Sequence, residues 1–205
     1  MKQNKMGWMN VKVLGMTGSV GSGKSTVCHV MEEEFNAAVI YTDEVAKQLM
    51  SKGGISHRLI TEHYGTQILD QAGEINREAL AKIVFSDDKE RLRVNSFSHP
   101  YVKEAVIKKI NELKEKGKVS YIVVETALPY EACLTEFCDE IIYVTASDQV
   151  RRERLKSSRG YSDEKITKML NSQLSEDAFL KICKKVLDNS KGMTAIKEQL
   201  KTILM

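Results

Sequence analysis

Short runs of consecutive apolar residues recur along the chain, and each is bounded by polar or turn-forming residues. Such runs are typical of strands buried inside a sheet. Stretches with helical spacing of apolar residues lie between them, so strands alternate with helices. This alternation predicts a mainly parallel sheet with helices on both faces. The five predicted strands are residues 11–16, 38–41, 119–124, 141–144 and 186–187.

The clearest helical pattern covers residues 100–116, where a proline suits the first turn and Gly117 suits the end. A second clear pattern covers residues 194–204 near the end of the chain. In both segments apolar residues recur three or four positions apart and form one stripe. The stripe residues are Val102, Ala105, Val106, Ile110 and Leu113 in the first helix, and Ile196, Leu200 and Ile203 in the second.

No convincing strand pattern occurs between residues 44 and 98, and several glycines punctuate this stretch. We therefore expect a helical substrate-binding domain over residues 44–116. The nucleotide-binding core would comprise residues 11–43 and 117–205, with a lid at about 150–175. Residues 1–10 are polar and are expected to form an N-terminal tail without a signal-peptide core.

Composition narrows the class of protein. The chain has 205 residues, 42% of them hydrophobic, and a formal net charge of +3, which suits a globular enzyme of one or two domains. The small charge argues against a nucleic-acid partner, and no apolar run is long enough to span a membrane. Four cysteines show no C-x-x-C spacing, so neither zinc nor structural disulfides are expected and a cytoplasmic location is favoured.

Residues 18–25 read GSVGSGKS and fit the phosphate-binding pattern G-x-x-x-x-G-K-[ST]. The motif follows a predicted strand and opens a predicted helix, which is the context it requires. Glycines let backbone N–H groups surround a phosphate, Lys24 would reach the β- and γ-phosphates, and the Ser25 hydroxyl would bind Mg²⁺. The alternative is a glycine-rich turn that matches by accident. The candidate nucleotide-binding residues are Gly18, Gly21, Ser22, Gly23, Lys24, Ser25 and Thr26.

Two acidic residues follow predicted strands, at the edge where parallel sheets bind ligands. Asp43 lies two residues beyond the second strand and could accept a proton from an attacking hydroxyl, or simply help to cap the next helix. Glu125 follows the third strand and could orient Mg²⁺, or could be an ordinary surface residue.

Basic residues crowd positions 151–159. A kinase needs cations over the phosphoryl group in transfer, and arginine suits bidentate phosphate contacts. The alternative is a solvated helix face. We expect at least one of these arginines to serve the reaction.

An ordered set of motifs from Val13 to Asn189 resembles the dephospho-coenzyme A kinase family. The matching segments are residues 15–26, 42–46, 64–65, 67–69, 73–77, 84–85, Asn95, 99–100, Gln173 and 186–189. The sequence departs from the family pattern at Tyr41, where the family has aspartate, and over residues 125–131, where the proline is displaced.

The resemblance implies roles for individual residues. Residues 21–26 match the ATP-binding loop, and Asp43 matches the catalytic base that also contacts the acceptor. Arg77 and His99 match positions of a coenzyme-binding helical domain. The lid arginine corresponds to either Arg152 or Arg154, because the spacing to Arg159 is unusual.

Together these observations predict a P-loop kinase of the α/β class. The motifs predict transfer of the γ-phosphate of ATP, with Mg²⁺, and the resemblance implies the ribose 3′-hydroxyl of dephospho-coenzyme A as the acceptor. The expected partners are these small molecules alone, without nucleic acid or membrane, and the chain would be a monomer or a small homo-oligomer. Two alternatives remain: a kinase for a nucleoside monophosphate or sugar, and a nucleotide-sensing protein without turnover.

Overall fold

The computed structural model describes residues 11–130 and 132–205. The expected tail at residues 1–10 lies outside the described residues. The chain divides into two compact units. The helical unit is Tyr41–Lys109, and the core unit comprises the described residues up to Ile40 together with Ile110–Met205. The bounds predicted from the sequence for the helical domain, residues 44 and 116, differ from these by a few residues at each end.

The core unit is built on a five-stranded sheet in the order β2-β3-β1-β4-β5. Parallel pairing joins β1 to both β3 and β4, and β4 to β5. This arrangement confirms the α/β fold class predicted from the alternation of strands and helices. The strands are β1 (Lys12–Thr17), β2 (Ala37–Tyr41), β3 (Tyr121–Glu125), β4 (Glu140–Thr145) and β5 (Lys185–Asp188).

The apolar runs form strands because parallel sheets covered on both faces bury nearly every side chain. Val13, Leu14 and Met16 of β1 are fully buried, and so are the three residues at the middle of β3. The third strand begins at Tyr121 and not at residue 119, because the residues before Tyr121 form hydrogen bonds with Asn36. There the Asn36 side chain donates to the carbonyl of Lys118, and the Ser120 N–H donates to the carbonyl of Asn36.

Five helices follow the strands of the core unit. α1 and α10 pack against each other, α1 contacts β1 and β3, and α10 contacts β5, while α9 contacts β4. α7 and α8 occupy the stretch expected to form the lid. The helices are α1 (Lys24–Glu34), α7 (Asp148–Arg159), α8 (Asp163–Asn171), α9 (Glu176–Ile182) and α10 (Met193–Leu204).

All residues of the helical unit are described, and apart from Tyr41, which ends β2, none of them lies in a strand. Beyond Tyr41, the extended pairing among its residues is an isolated bridge between Leu69 and Ile75. The cluster at its centre consists of Ile60, Ile68, Ile75, Leu80 and Val94. The helices are α2 (Thr42–Met50), α3 (Ile55–Tyr64), α4 (Arg77–Ser86), α5 (Asp88–Ser96) and α6 (His99–Lys116), the last of which continues beyond Lys109.

Across the two described stretches of the chain, no helix has the length and apolar content that a membrane crossing requires.

Candidate active site

The loop between β1 and α1 has the backbone conformation of an anion-binding loop. Gly21 and Gly23 have φ values of 77° and 82°, in the left-handed region that favours glycine. α1 begins directly after Gly23, without a side-chain cap and without an acidic residue in its first turn. The N–H groups at this helix end are therefore not satisfied by a capping side chain, and the positive end of the helix dipole favours an anion.

Contacts with Gly18 and Glu125 help to hold Lys24 at the loop. Its Nζ atom donates to the carbonyl of Gly18 at 2.8 Å and lies 3.9 Å from Oε1 of Glu125. Both side chains are largely buried, with 12% and 14% of their surface exposed. The carboxylate balances the ammonium charge, and the short bond to Gly18 fixes the direction of the side chain along the loop.

Arg154 and Asn189 bind the backbone carbonyls of the loop. The Arg154 guanidinium donates to the carbonyl of Ser22 at 3.1 Å and to the backbone carbonyl of Asn189 at 2.8 Å. Nδ2 of Asn189 donates to the same Ser22 carbonyl at 2.8 Å. Asn189 is only 1% exposed, so its amide depends on these partners for hydrogen bonding.

A third contact reaches the tip of the loop. The N–H of Val20 donates to Oε1 of Gln173 at 2.8 Å. Gln173 lies just beyond the end of α8, so this hydrogen bond joins the expected lid to the phosphate loop.

Arg151 and Arg152 of α7 both pair with Asp148 of the same helix, and Arg152 also contacts α8. Arg152 donates to Asp148 at 2.6 Å and to the Thr167 hydroxyl at 3.1 Å, and Arg151 donates to Asp148 at 3.3 Å. The hydrogen bond from Arg152 is the main cause that lowers the pKa of Asp148 below its ordinary value. Arg151, Arg152 and Asp148 also line an open cavity of about 630 Å³ beside Ser19 of the loop.

Oxygen donors that suit Mg²⁺ lie near the loop. Glu125 ends β3 and pairs in register with Met16 of β1, and Ser25 is an exposed residue in the first turn of α1. A carboxylate and a hydroxyl are the hard ligands that Mg²⁺ prefers, and it usually keeps several waters besides one or two protein ligands. The residues therefore fit the ion, although no cluster of three metal-ligating side chains occurs among the residues that the structure describes.

The remaining candidate residues belong to the helical unit. Asp43 is exposed and is the second residue of α2, which begins directly after β2. Arg77 is the first residue of α4, next to its capping residue Asn76, and His99 is the first residue of α6. Arg77 lines a cavity of about 750 Å³ within this unit, together with Lys47, Met50, Asp70, Glu74 and Glu78.

The fold and the loop together define the class of the protein, a P-loop kinase. The model of the family described as "Dephospho-CoA kinase" matches residues 12–195. The chain therefore belongs to the dephospho-CoA kinase family, a family of phosphotransferases.

Curated relatives agree with this assignment. The dephospho-CoA kinase of Carboxydothermus hydrogenoformans is 33% identical over 192 residues, which cover 94% of this chain and 92% of the relative. The dephospho-CoA kinase of Bacillus cereus is 32% identical, with 94% and 95% covered.

Solved structures share the fold. A Thermus thermophilus protein gives a TM-score of 0.76 at 24% identity, over 95% of this chain and 97% of the other. A dephospho-CoA kinase from Campylobacter jejuni gives 0.67 at 19% identity, with 94% of each chain covered. A shikimate kinase from Bacteroides thetaiotaomicron gives 0.52 at 13% identity, over 94% and 95%. The architecture is thus shared with a kinase named for a different acceptor.

Proposed function

We propose that this chain transfers the γ-phosphate of ATP to the ribose 3′-hydroxyl of dephospho-CoA, giving ADP and CoA as the last step of CoA biosynthesis. The observation that carries the proposal is the loop at residues 18–25, with Lys24 hydrogen-bonded to Gly18, in a chain that belongs to the dephospho-CoA kinase family. Phosphoryl transfer asks the protein mainly for positioning and for stabilisation of charge, and a preorganised loop supplies both.

In this proposal the loop binds the phosphates of ATP. Gly18, Gly21, Ser22 and Gly23 form the loop around the phosphates, and Ser25 and Thr26 extend the site into the first turn of α1. Thr26 would contribute its hydroxyl, because its N–H donates to the carbonyl of Gly23. Lys24 moves its ammonium from the Gly18 carbonyl to the β- and γ-phosphates. A charge-assisted hydrogen bond to phosphate is stronger than the bond to a neutral carbonyl, so the exchange is favourable.

Ser25 and Glu125 would hold Mg²⁺, Ser25 through its hydroxyl and Glu125 through its carboxylate or an intervening water. The ion would neutralise charge on the phosphate oxygens when it is bound. Glu125 also lies against Lys24, so its carboxylate keeps the lysine ammonium in place before nucleotide arrives.

Acceptor binding is assigned to the helical unit. Arg77 and His99 would contact dephospho-CoA, and the cavity of about 750 Å³ beside Arg77 has the size of a small-molecule site. Asp43 would contact the acceptor and take the proton from the ribose 3′-hydroxyl as that oxygen attacks phosphorus.

We assign different tasks to the two candidate lid arginines, Arg152 and Arg154. Arg152 pairs with exposed Asp148, and an exposed ion pair contributes little energy, so Arg152 can leave it for a phosphate oxygen. Arg154 is bonded to backbone carbonyls on the loop, so its proposed contribution is to hold the loop in place.

We propose a cytoplasmic location and small-molecule partners for this enzyme. The four cysteines are free thiols, which suits the reducing cytoplasm. The proposed partners are the small molecules ATP and dephospho-CoA, with the chain acting as a monomer or a small homo-oligomer.

An acceptor screen tests the proposal. ADP release is measured with dephospho-CoA, AMP or shikimate, using the wild type, Lys24→Ala and the exposed control Lys191→Ala. Of the three acceptors, we expect only dephospho-CoA to give rapid release of ADP. With dephospho-CoA, Lys24→Ala should lose more than nine-tenths of the wild-type rate, and Lys191→Ala should keep the wild-type rate. Faster release with AMP or shikimate would favour a different small-molecule kinase. Nucleotide binding without release for any acceptor would favour a nucleotide-sensing protein.

A further inference from the structure

Asn189 lies at the end of β5, where its own N–H donates to the carbonyl of Thr145 at 2.8 Å. This ladder bond fixes the residue to β4, and burial leaves its side chain no access to water. From that fixed point Nδ2 donates to the carbonyls of Ser22 at 2.8 Å and Gly23 at 3.4 Å. A side chain of the sheet therefore holds two consecutive peptide groups of the phosphate loop.

Arg154 holds the same stretch of loop from α7. Its NH1 donates to the carbonyls of Gly21 at 3.4 Å and Ser22 at 3.1 Å, while NH2 donates to the backbone carbonyl and to Oδ1 of Asn189. The guanidinium thereby fixes Asn189 as well as the loop. Oδ1 accepts from Arg154, so the nitrogen of the amide must face the loop carbonyls.

These contacts decide where the loop N–H groups point. In a planar trans peptide the carbonyl and the next residue's N–H point in opposite directions. Arg154 and Asn189 donate to the carbonyls of Gly21, Ser22 and Gly23, so these carbonyls point toward the two side chains. The N–H groups of the residues that follow each carbonyl therefore point away from the two side chains. Those N–H groups belong to Ser22, Gly23 and Lys24. The Ser22 N–H donates to the carbonyl of Ser19 at 3.2 Å, so we expect the N–H groups of Gly23 and Lys24 to bind phosphate.

We infer that Asn189 is a positioning residue for nucleotide binding, which acts by fixing the orientation of the loop N–H groups. The inference rests on the proposed function only in that the loop must bind the phosphates of ATP. A neutral amide is the chemistry that this position requires. An aspartate would bring a carboxylate against carbonyl oxygens, and an alanine would leave Arg154 as the side chain that holds the Ser22 carbonyl.

Calorimetric binding of Mg·ADP tests the inference without any acceptor. Asn189→Ala removes both donated hydrogen bonds but adds no charge. Asn189→Asp keeps the size and the acceptor for Arg154 but has no donor. Asn36→Ala is the matched control, because it removes another bond from an asparagine amide to a backbone carbonyl in the same unit. Both Asn189 variants should fold, since Arg154 still bonds to Ser22 and the N–H groups of Thr26 and Val27 still donate to Gly23.

We expect the Kd for ADP to rise at least about tenfold in both Asn189 variants, with the KM for dephospho-CoA within twofold of wild type. Asn36→Ala should lower the melting temperature and leave the Kd unchanged. Asn189 variants that melt earlier but bind ADP within twofold of wild type would overturn the inference. If Asn189→Ala does not fold, Asn189→Asp decides on the same criterion. If the wild type binds ADP but does not phosphorylate dephospho-CoA, the proposed function is contradicted, whereas the inference about Asn189 still stands.

Discussion

The absence of a side chain at Gly23 lets Asn189 reach the phosphate loop. A Cβ atom at Gly23 would collide with Nδ2 of Asn189 and would lie 3.1 Å from NH1 of Arg154. The glycine also has φ 82°, which other residues rarely adopt. Gly23 is therefore required for two reasons: it allows the left-handed backbone conformation, and it leaves room for the Asn189 side chain.

Gly23→Ala should therefore abolish tight nucleotide binding. Gly160→Ala is a matched control, because Gly160 is also left-handed, with φ 62°, but has nothing within 4 Å of its Cβ position. Both variants should lose about 1 kcal/mol of stability from the unfavourable φ. Only Gly23→Ala should raise the Kd for ADP more than about tenfold in calorimetry. Equal ADP binding by the two variants would show that the contact with Asn189 does not matter.

We expect Gln173 to affect ATP binding, because its side-chain oxygen accepts a hydrogen bond from the Val20 N–H of the phosphate loop. Gln173→Ala leaves the Val20 N–H without its partner, and a lost hydrogen bond of this kind costs about 1 kcal/mol. We expect the KM for ATP to rise about fivefold. Gln173→Glu retains an acceptor oxygen and should stay within twofold of wild type. Steady-state kinetics with varied ATP makes the comparison, and a glutamate variant as impaired as the alanine variant would contradict this role.

Asp43→Asn should lower kcat much more than it raises either KM. Asparagine keeps the size of aspartate but cannot take a proton, and general bases typically contribute about 10²–10⁴-fold. The rate is measured across a range of Mg²⁺ concentrations. Recovery of the rate at high Mg²⁺ would identify Asp43 as part of the metal environment, and a wild-type rate throughout would reduce it to a residue of the first turn of α2.

Cys28, Cys138 and Cys183 of the core unit should resist alkylation in the folded protein. Burial raises the pKa of Cys138 to about 12 and of Cys183 to about 11, and it also raises the pKa of Cys28. The reactive thiolate is therefore scarcer at pH 8 than in the unfolded chain, where cysteine titrates at about 8.5. Iodoacetamide labelling followed by mass spectrometry should show at least tenfold slower modification of these three cysteines in the native protein than in urea. Equal rates would contradict their burial.

The sequence was sufficient to predict those features that depend on local pattern. The motif at residues 18–25 and the apolar runs predict the loop and the strands, because consecutive residues determine both. The pair of Asp148 and Arg152 could also have been found, since residues four apart meet on a helix. The roles of Asn189 and Gln173 could not be found this way. Their loop partners lie more than 150 residues away in the chain, and only the assembled sheet and the helices following it bring them together.

The central claim is that the γ-phosphate of ATP moves to the ribose 3′-hydroxyl, and product analysis tests it most directly. The purified chain is incubated with γ-³²P-labelled ATP, Mg²⁺ and dephospho-CoA, and the labelled product is separated and its phosphate position assigned by ³¹P NMR on an unlabelled preparation. We predict one labelled organic product, a 3′-phosphomonoester identical to CoA, formed in equal amount to ADP and not formed by Lys24→Ala. Label found only in inorganic phosphate, or on any other oxygen of the acceptor, would contradict the account.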